Sequence, residues 1–100
     1  MSKIGAALLK ARKQIKMSQA TLSERSGVST QMISLIENGQ RNGSPDLWEK
    51  LATGIGLPLS VVLWLSTEES SVPLERVESY RALKPTVDNL ISTIFQINLQ

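Results

Sequence analysis

The chain has 100 residues, 41% of them apolar, with a formal net charge of +2, enough for one small domain with its own core. It contains no cysteine and no histidine, which removes disulfides, thiolate metal sites, the commonest metal ligand and the commonest general base. No apolar run approaches the roughly 18 residues of a membrane-spanning helix, and the opening Met1-Ser2-Lys3 leads into a mixed helical pattern rather than a signal peptide.

A soluble, cytoplasmic protein with no metal and no cofactor is therefore expected. Its charge is uneven. Residues 1–66 carry eight cationic and four anionic side chains, residues 67–100 three and five. A basic front and an acidic back suit a chain that meets a polyanion with one end. Ordinary surface charge gives the same imbalance.

In chain order, the spacing of Ile4, Leu8, Ala11, Arg12 and Ile15 predicts a helix from Lys3 to Lys16, with Ser2 as its cap. A second helix opens at Ser18, whose hydroxyl can accept from the amides of Ala20 and Thr21. Leu22 points inward from it, Gly27 ends it in the left-handed conformation, and Val28 plugs the corner. Ser29 starts a third helix by the same capping logic. Ile33, Ile36 and Glu37 share one face, while Thr30, Gln31 and Ser34 face away, and Asn38-Gly39 stops the helix.

After the loop Gly39 to Ser44, Ser44-Pro45-Asp46 is a strong helix start. Leu47, Trp48, Leu51, Ala52 and Ile55 form its buried face, Trp48 and Trp64 are core residues, and Gly54 and Gly56 fray the helix end. Ser60 caps a short apolar helix from Val61 to Leu65. No strand pattern occurs. Residues 66–71, Ser-Thr-Glu-Glu-Ser-Ser, read as a polar linker. Beyond it, a helix from Pro73 to Leu83 presents Leu74, Val77 and Tyr80. A separate one opens at Pro85-Thr86, where Val87, Leu90, Ile91, Ile94 and Phe95 form a continuous apolar stripe. Exposed stripes of this kind mark interfaces, and pairing with a second copy is the favoured role here. Asp88 is the only charge from Val87 onward, so no basic face for a membrane surface exists.

A short helix, a tight glycine corner and a second helix make a helix-turn-helix arrangement. In that arrangement one helix lies across the DNA backbone and the next sits in the major groove. The third helix carries short hydrogen-bonding side chains instead of lysine and glutamate, and Gln, Ser and Thr suit base edges.

The ordered set SQATLSERSGVS, MISLIENGQRN and LWEKLATGIGLPLS resembles the Cro/C1-type (XRE-type) helix-turn-helix family over residues 3–65. The resemblance implies an all-α, five-helix lambda-repressor-like DNA-binding domain over residues 1–66, which binds DNA as a dimer. Residues 67–100 are then expected to be a helical tail for oligomerisation. Gln19 matches a position that bonds phosphate and buttresses the base-reading residues. Ser29, Thr30, Gln31 and Ser34 match positions facing bases or nearby phosphates. Asn38, Gln40, Arg41 and Asn42 match the loop that grips the backbone. Arg12 and Glu37 match a partly buried salt bridge between the first and third helices.

The chain also departs from the family pattern. Gly43 stands where proline is common and Pro45 where leucine is. Leu35 replaces a polar or basic residue, and Met32 is apolar where exposure is expected. Both can contact a thymine methyl or pack against neighbouring helices.

The implied function is a sequence-specific transcriptional regulator, a repressor of prophage or operon type, acting on a palindromic double-stranded operator as a homo-oligomer. The alternative is an antitoxin whose tail binds a toxin while the front domain autoregulates. No phosphate-binding loop ending in Gly-Lys-Ser/Thr exists, and no histidine is present to activate a serine, so an enzyme is not expected.

Overall fold

The computed structural model describes residues 3–99 and divides between Ser66 and Thr67 into two compact units. Among the described residues every regular element is helical. The first unit holds α1 (Lys3–Gln14), α2 (Gln19–Ser26), α3 (Thr30–Glu37), α4 (Pro45–Ile55) and α5 (Leu59–Ser66). The second holds short 3-10 turns at Glu69–Ser71 and Leu74–Arg76, followed by α6 (Val77–Phe95).

The start signals of α2, α3 and α4 work as their sequences imply. Ser18 accepts from the amide of Thr21, Ser29 from Met32 and Ser44 from Leu47, each cap sitting in extended backbone. Each serine thereby satisfies one of the amides that a helix start leaves without a helical acceptor. Gly27 closes α2 at φ 75°, where any β-carbon is strained, and Val28 is buried in the corner.

The core of this unit is built on Leu8, Leu22, Ile33, Ile36, Leu51 and Val62, all almost completely buried. α1 packs on α3, α4 and α5, while α2 packs on α3 and α4. The α1–α3 approach depends on Gly5: a β-carbon there would lie 2.0 Å from the carbonyl oxygen of Ile36.

Several boundaries differ from expectation. α1 stops at Gln14 rather than Lys16, because Lys16 takes a left-handed φ of 57°. The amides of Lys16 and Met17 then turn back to the carbonyls of Lys13 and Arg12, a Schellman-type close that leaves Ile15 exposed. Gly54 does not fray α4. It is buried inside the helix, where a β-carbon would come within 2.8 Å of Leu22 Cδ1, so its bare backbone lets α2 come close. Ser60 is not a cap. The amides of Val61 and Val62 both reach Pro58 O, so α5 begins at Leu59 and Ser60 is an exposed residue of its first turn. Leu47, Trp48 and Trp64 are half-buried, not core. The expected Ser2 cap lies outside the described residues.

In the second unit, the expected linker contains the Glu69–Ser71 turn, and the two expected helices are one. Leu74 lies in the second 3-10 turn and is exposed. Pro85 sits inside α6, although its ring removes one helical hydrogen bond. The helix persists because Val77, Tyr80, Val87, Ile91 and Phe95 keep helical spacing on both sides of it and are buried or half-buried. Lys84 and Asp88, at 2.6 Å, bridge the turn around the proline. Tyr80 Oη donates to Thr67 O, and Arg81 pairs with both oxygens of Glu69, which ties the start of the unit to its helix.

Candidate nucleic-acid interface

α3 divides cleanly around its circumference. Ile33, Ile36 and Glu37 are buried, Met32, Ser34 and Leu35 are half-buried, and Ser29, Thr30 and Gln31 are exposed at the N-terminal end. The exposed trio is uncharged and made of hydroxyl and amide groups, the side chains that can bond base edges. Ser29 Oγ already accepts from Met32 N at 3.1 Å, which leaves the hydroxyl hydrogen to donate outward.

The buried face of α3 is locked by a polar network. Arg12 Nε donates to Glu37 Oε2 at 2.7 Å and its Nη2 to Glu37 Oε1 at 2.9 Å, a two-pronged pair inside the domain. Arg12 Nη1 donates to Met17 O at 2.7 Å, just before α2. Gln19 Nε2 adds a second donor to Glu37 Oε1 at 2.9 Å. One carboxylate therefore ties α1, the start of α2 and the end of α3. Its hydrogen bonds raise the Arg12 pKa above the ordinary arginine value, against the lowering effect of burial. No buried side-chain nitrogen or oxygen among the described residues lacks a partner. Gln19 thus stands at the α2 entrance with its amide turned to Glu37, where it braces the end of α3.

The loop after α3 is ordered by backbone contacts. The amides of Gln40 and Arg41 both donate to Leu35 O, at 2.9 and 3.1 Å, and Asn38 Oδ1 accepts from Gln40 N. Gly43 follows at φ 77°. Proline, fixed near −65°, could not occupy it, so the loop here takes a path of its own. Asn38, Gln40, Arg41 and Asn42 are all exposed beside α3.

Of the expected residues, Ser29, Thr30, Gln31, Asn38, Gln40, Arg41 and Asn42 are exposed at the cap of α3, on it and in the following loop, while Ser34 and Leu35 on α3 and Gln19 at the start of α2 are half-buried. Sequence alone assigns Trp48 no role beyond the core, and Gly5 none. A glycine inside a helical pattern is the one signal that flags Gly5. Among the described residues there is no group of three or more acidic side chains placed to hold a metal ion, and no helix long and apolar enough to cross a membrane.

A family model of the helix-turn-helix matches residues 8–62, more than half of the chain. The chain belongs to this family, the Cro/C1-type or XRE helix-turn-helix proteins, which are DNA-binding transcriptional regulators. No curated protein and no solved structure matches it.

Proposed function

We propose that the protein is a sequence-specific repressor that places α3 in the major groove of a palindromic operator and blocks a promoter. The observation carrying this reading is the exposed, uncharged Ser29-Thr30-Gln31 end of α3, held from behind by the Arg12–Glu37–Gln19 network. In this reading Gln31, Thr30 and Ser34 face base edges, with Leu35 available to a thymine methyl. Asn38, Gln40, Arg41 and Asn42 hold the backbone and fix the register. Such a protein works in the cytoplasm, where its operator is.

A palindrome needs two copies with their reading helices about 34 Å apart, and α6 supplies the means. The apolar stripe splits in the structure: Ile91 is buried, Val87 and Phe95 are half-buried, and Leu90 and Ile94 are exposed. Leu83 is exposed as well, giving a ridge at i, i+7 and i+11. Its solvent-side neighbours Ser79, Thr86 and Thr93 carry no charge. A ridge without charge meets no like charge on its own copy.

Two variants test the reading. Gln31→Ala should cost about 1–3 kcal/mol of specific binding and relax preference at one base pair. Unchanged preference removes Gln31 from the reading set. The double change Leu90→Glu, Ile94→Glu should reduce the solution mass to one copy and weaken operator binding. Unaltered mass and affinity would dismiss α6 as the pairing element. A wild-type chain that is a single copy yet binds DNA would favour the antitoxin arrangement, with the ridge covered by a different protein.

A further inference from the structure

We infer that Trp48 is a positioning residue for DNA binding: its indole clasps the loop that carries Arg41. The inference rests on the reading above, in which Gln40, Arg41 and Asn42 hold the DNA backbone. Trp48 lies on α4, outside the helix-turn-helix pair, and is only half-buried. Its Nε1 donates to Asn42 O at 2.6 Å. A tryptophan at the rim of a core satisfies its one donor there, and here the acceptor is a loop carbonyl.

The loop is then held at two points. On one side Leu35 O takes the amides of Gln40 and Arg41. On the other the indole takes the carbonyl of Asn42. Arg41 carries the last amide of the first attachment, and Asn42, the next residue, carries the second. Gly43 suits this attachment, since it sits at φ 77° and a β-carbon there would crowd Trp48 Nε1 and Ile36 Cδ1, each at 3.1 Å.

Without the indole bond, the chain beyond the Arg41 amide, at Asn42 and Gly43, would lose its second anchor and the Arg41 side chain its fixed base, and binding DNA would have to order them. Fixing a DNA-contacting loop in its bound conformation raises affinity by removing that cost. The effect belongs to backbone contacts, which set affinity and salt dependence but carry no base preference.

The test compares Trp48→Phe and Arg41→Ala in the full chain, on a duplex selected from a randomised library. Phenylalanine keeps the aromatic packing and removes the donor. Trp48→Phe should lose about 3- to 10-fold in affinity, the worth of one hydrogen bond. The slope of log K against log salt should become shallower by up to about 0.9, the share of a single neutralised phosphate. The preferred sequence should stay the same and the thermal midpoint should be close to wild type. Affinity and salt slope equal to wild type in Trp48→Phe, with Arg41→Ala weakened, would overturn the clasp while leaving the loop at the DNA. If Arg41→Ala also binds normally, the loop is not in the interface and the clasp falls with it. If Trp48→Phe fails to fold, hydrogen exchange of the wild-type indole N–H decides. Strong protection of Trp48 that rises on DNA binding supports the clasp, and exchange as fast as free indole refutes it.

Discussion

Two arginine–glutamate pairs, one in each unit, use the same two-pronged geometry in opposite settings. In the Arg12–Glu37 pair the side chains are 10% and 4% exposed, and the carboxylate also receives Gln19. In the Arg81–Glu69 pair they are 64% and 45% exposed. The first holds α1, the start of α2 and the end of α3 in fixed relation. The second joins a 3-10 turn to its own helix in open water, where solvent screens the attraction. The contrast extends to the apolar residues. The first unit buries Leu8, Leu22, Ile33, Ile36, Leu51 and Val62 almost completely and leaves Ile15 and Leu63 no more than 40% exposed, whereas α6 leaves Leu83, Leu90 and Ile94 more than half exposed. The same residue types build a closed core in one place and an exposed ridge in the other.

The largest effect should come from the buried pair. Glu37→Ala strands the Arg12 guanidinium and a Gln19 amide, and should cost about 3–5 kcal/mol of stability in urea unfolding. That is a large share of the roughly 5–15 kcal/mol a small domain has. Glu37→Gln, which keeps an acceptor, should cost less. A loss in Glu37→Ala no greater than in a surface glutamate variant would break the comparison.

Next comes the close approach that lets the pair form. Gly5→Ala improves helix propensity by up to about 1 kcal/mol. It also sets a β-carbon 2.0 Å from a backbone oxygen that cannot swing aside. Overpacking of this kind costs about 1–3 kcal/mol and should win, lowering the unfolding midpoint. A stabilised Gly5→Ala would show that α1 and α3 are further apart.

The smallest effect belongs to the exposed pair. The hydrogen bond from Arg81 pulls the Glu69 carboxyl below its ordinary pKa. A depressed folded value means the contribution is present above the unfolded pKa and is lost as pH falls through the folded one. Arg81→Ala should return the Glu69 titration, followed by carbon NMR, to the usual carboxylate range. The unfolding midpoint at neutral pH should hardly move. A large drop would mean that the second unit depends on its surface pair as the first depends on its buried one.

Much of the first unit is legible in the sequence because its signals are local. Ser18, Ser29 and Ser44 cap where a small hydroxyl precedes an apolar helix, and Gly27 closes α2 because the corner needs a left-handed residue. The Arg12–Glu37 pair spans 25 residues and is reached only through the family resemblance. What escapes depends on three-dimensional neighbours. Nothing next to Gly54 announces Leu22, and nothing near Trp48 announces the carbonyl of Asn42. Pro85 argues locally for a helix break, yet the apolar spacing on both sides carries α6 through it. Of the candidate interface, the outward faces of Thr30 and Gln31 follow from helical period alone, whereas Ser34, expected on the same face, is half-buried. The turn of Gln19 toward Glu37 does not follow from it, because it depends on where α3 ends.

We propose that the exposed end of α3 reads base sequence for a paired molecule. Selection of the full chain on a randomised duplex library, repeated with Gln31→Ala, tests it most directly. The expected result is a two-fold symmetric sequence with half-site centres about 34 Å apart, degenerate at one position per half-site in the variant. Retention without enrichment of any sequence, or an identical preference in both proteins, would contradict it.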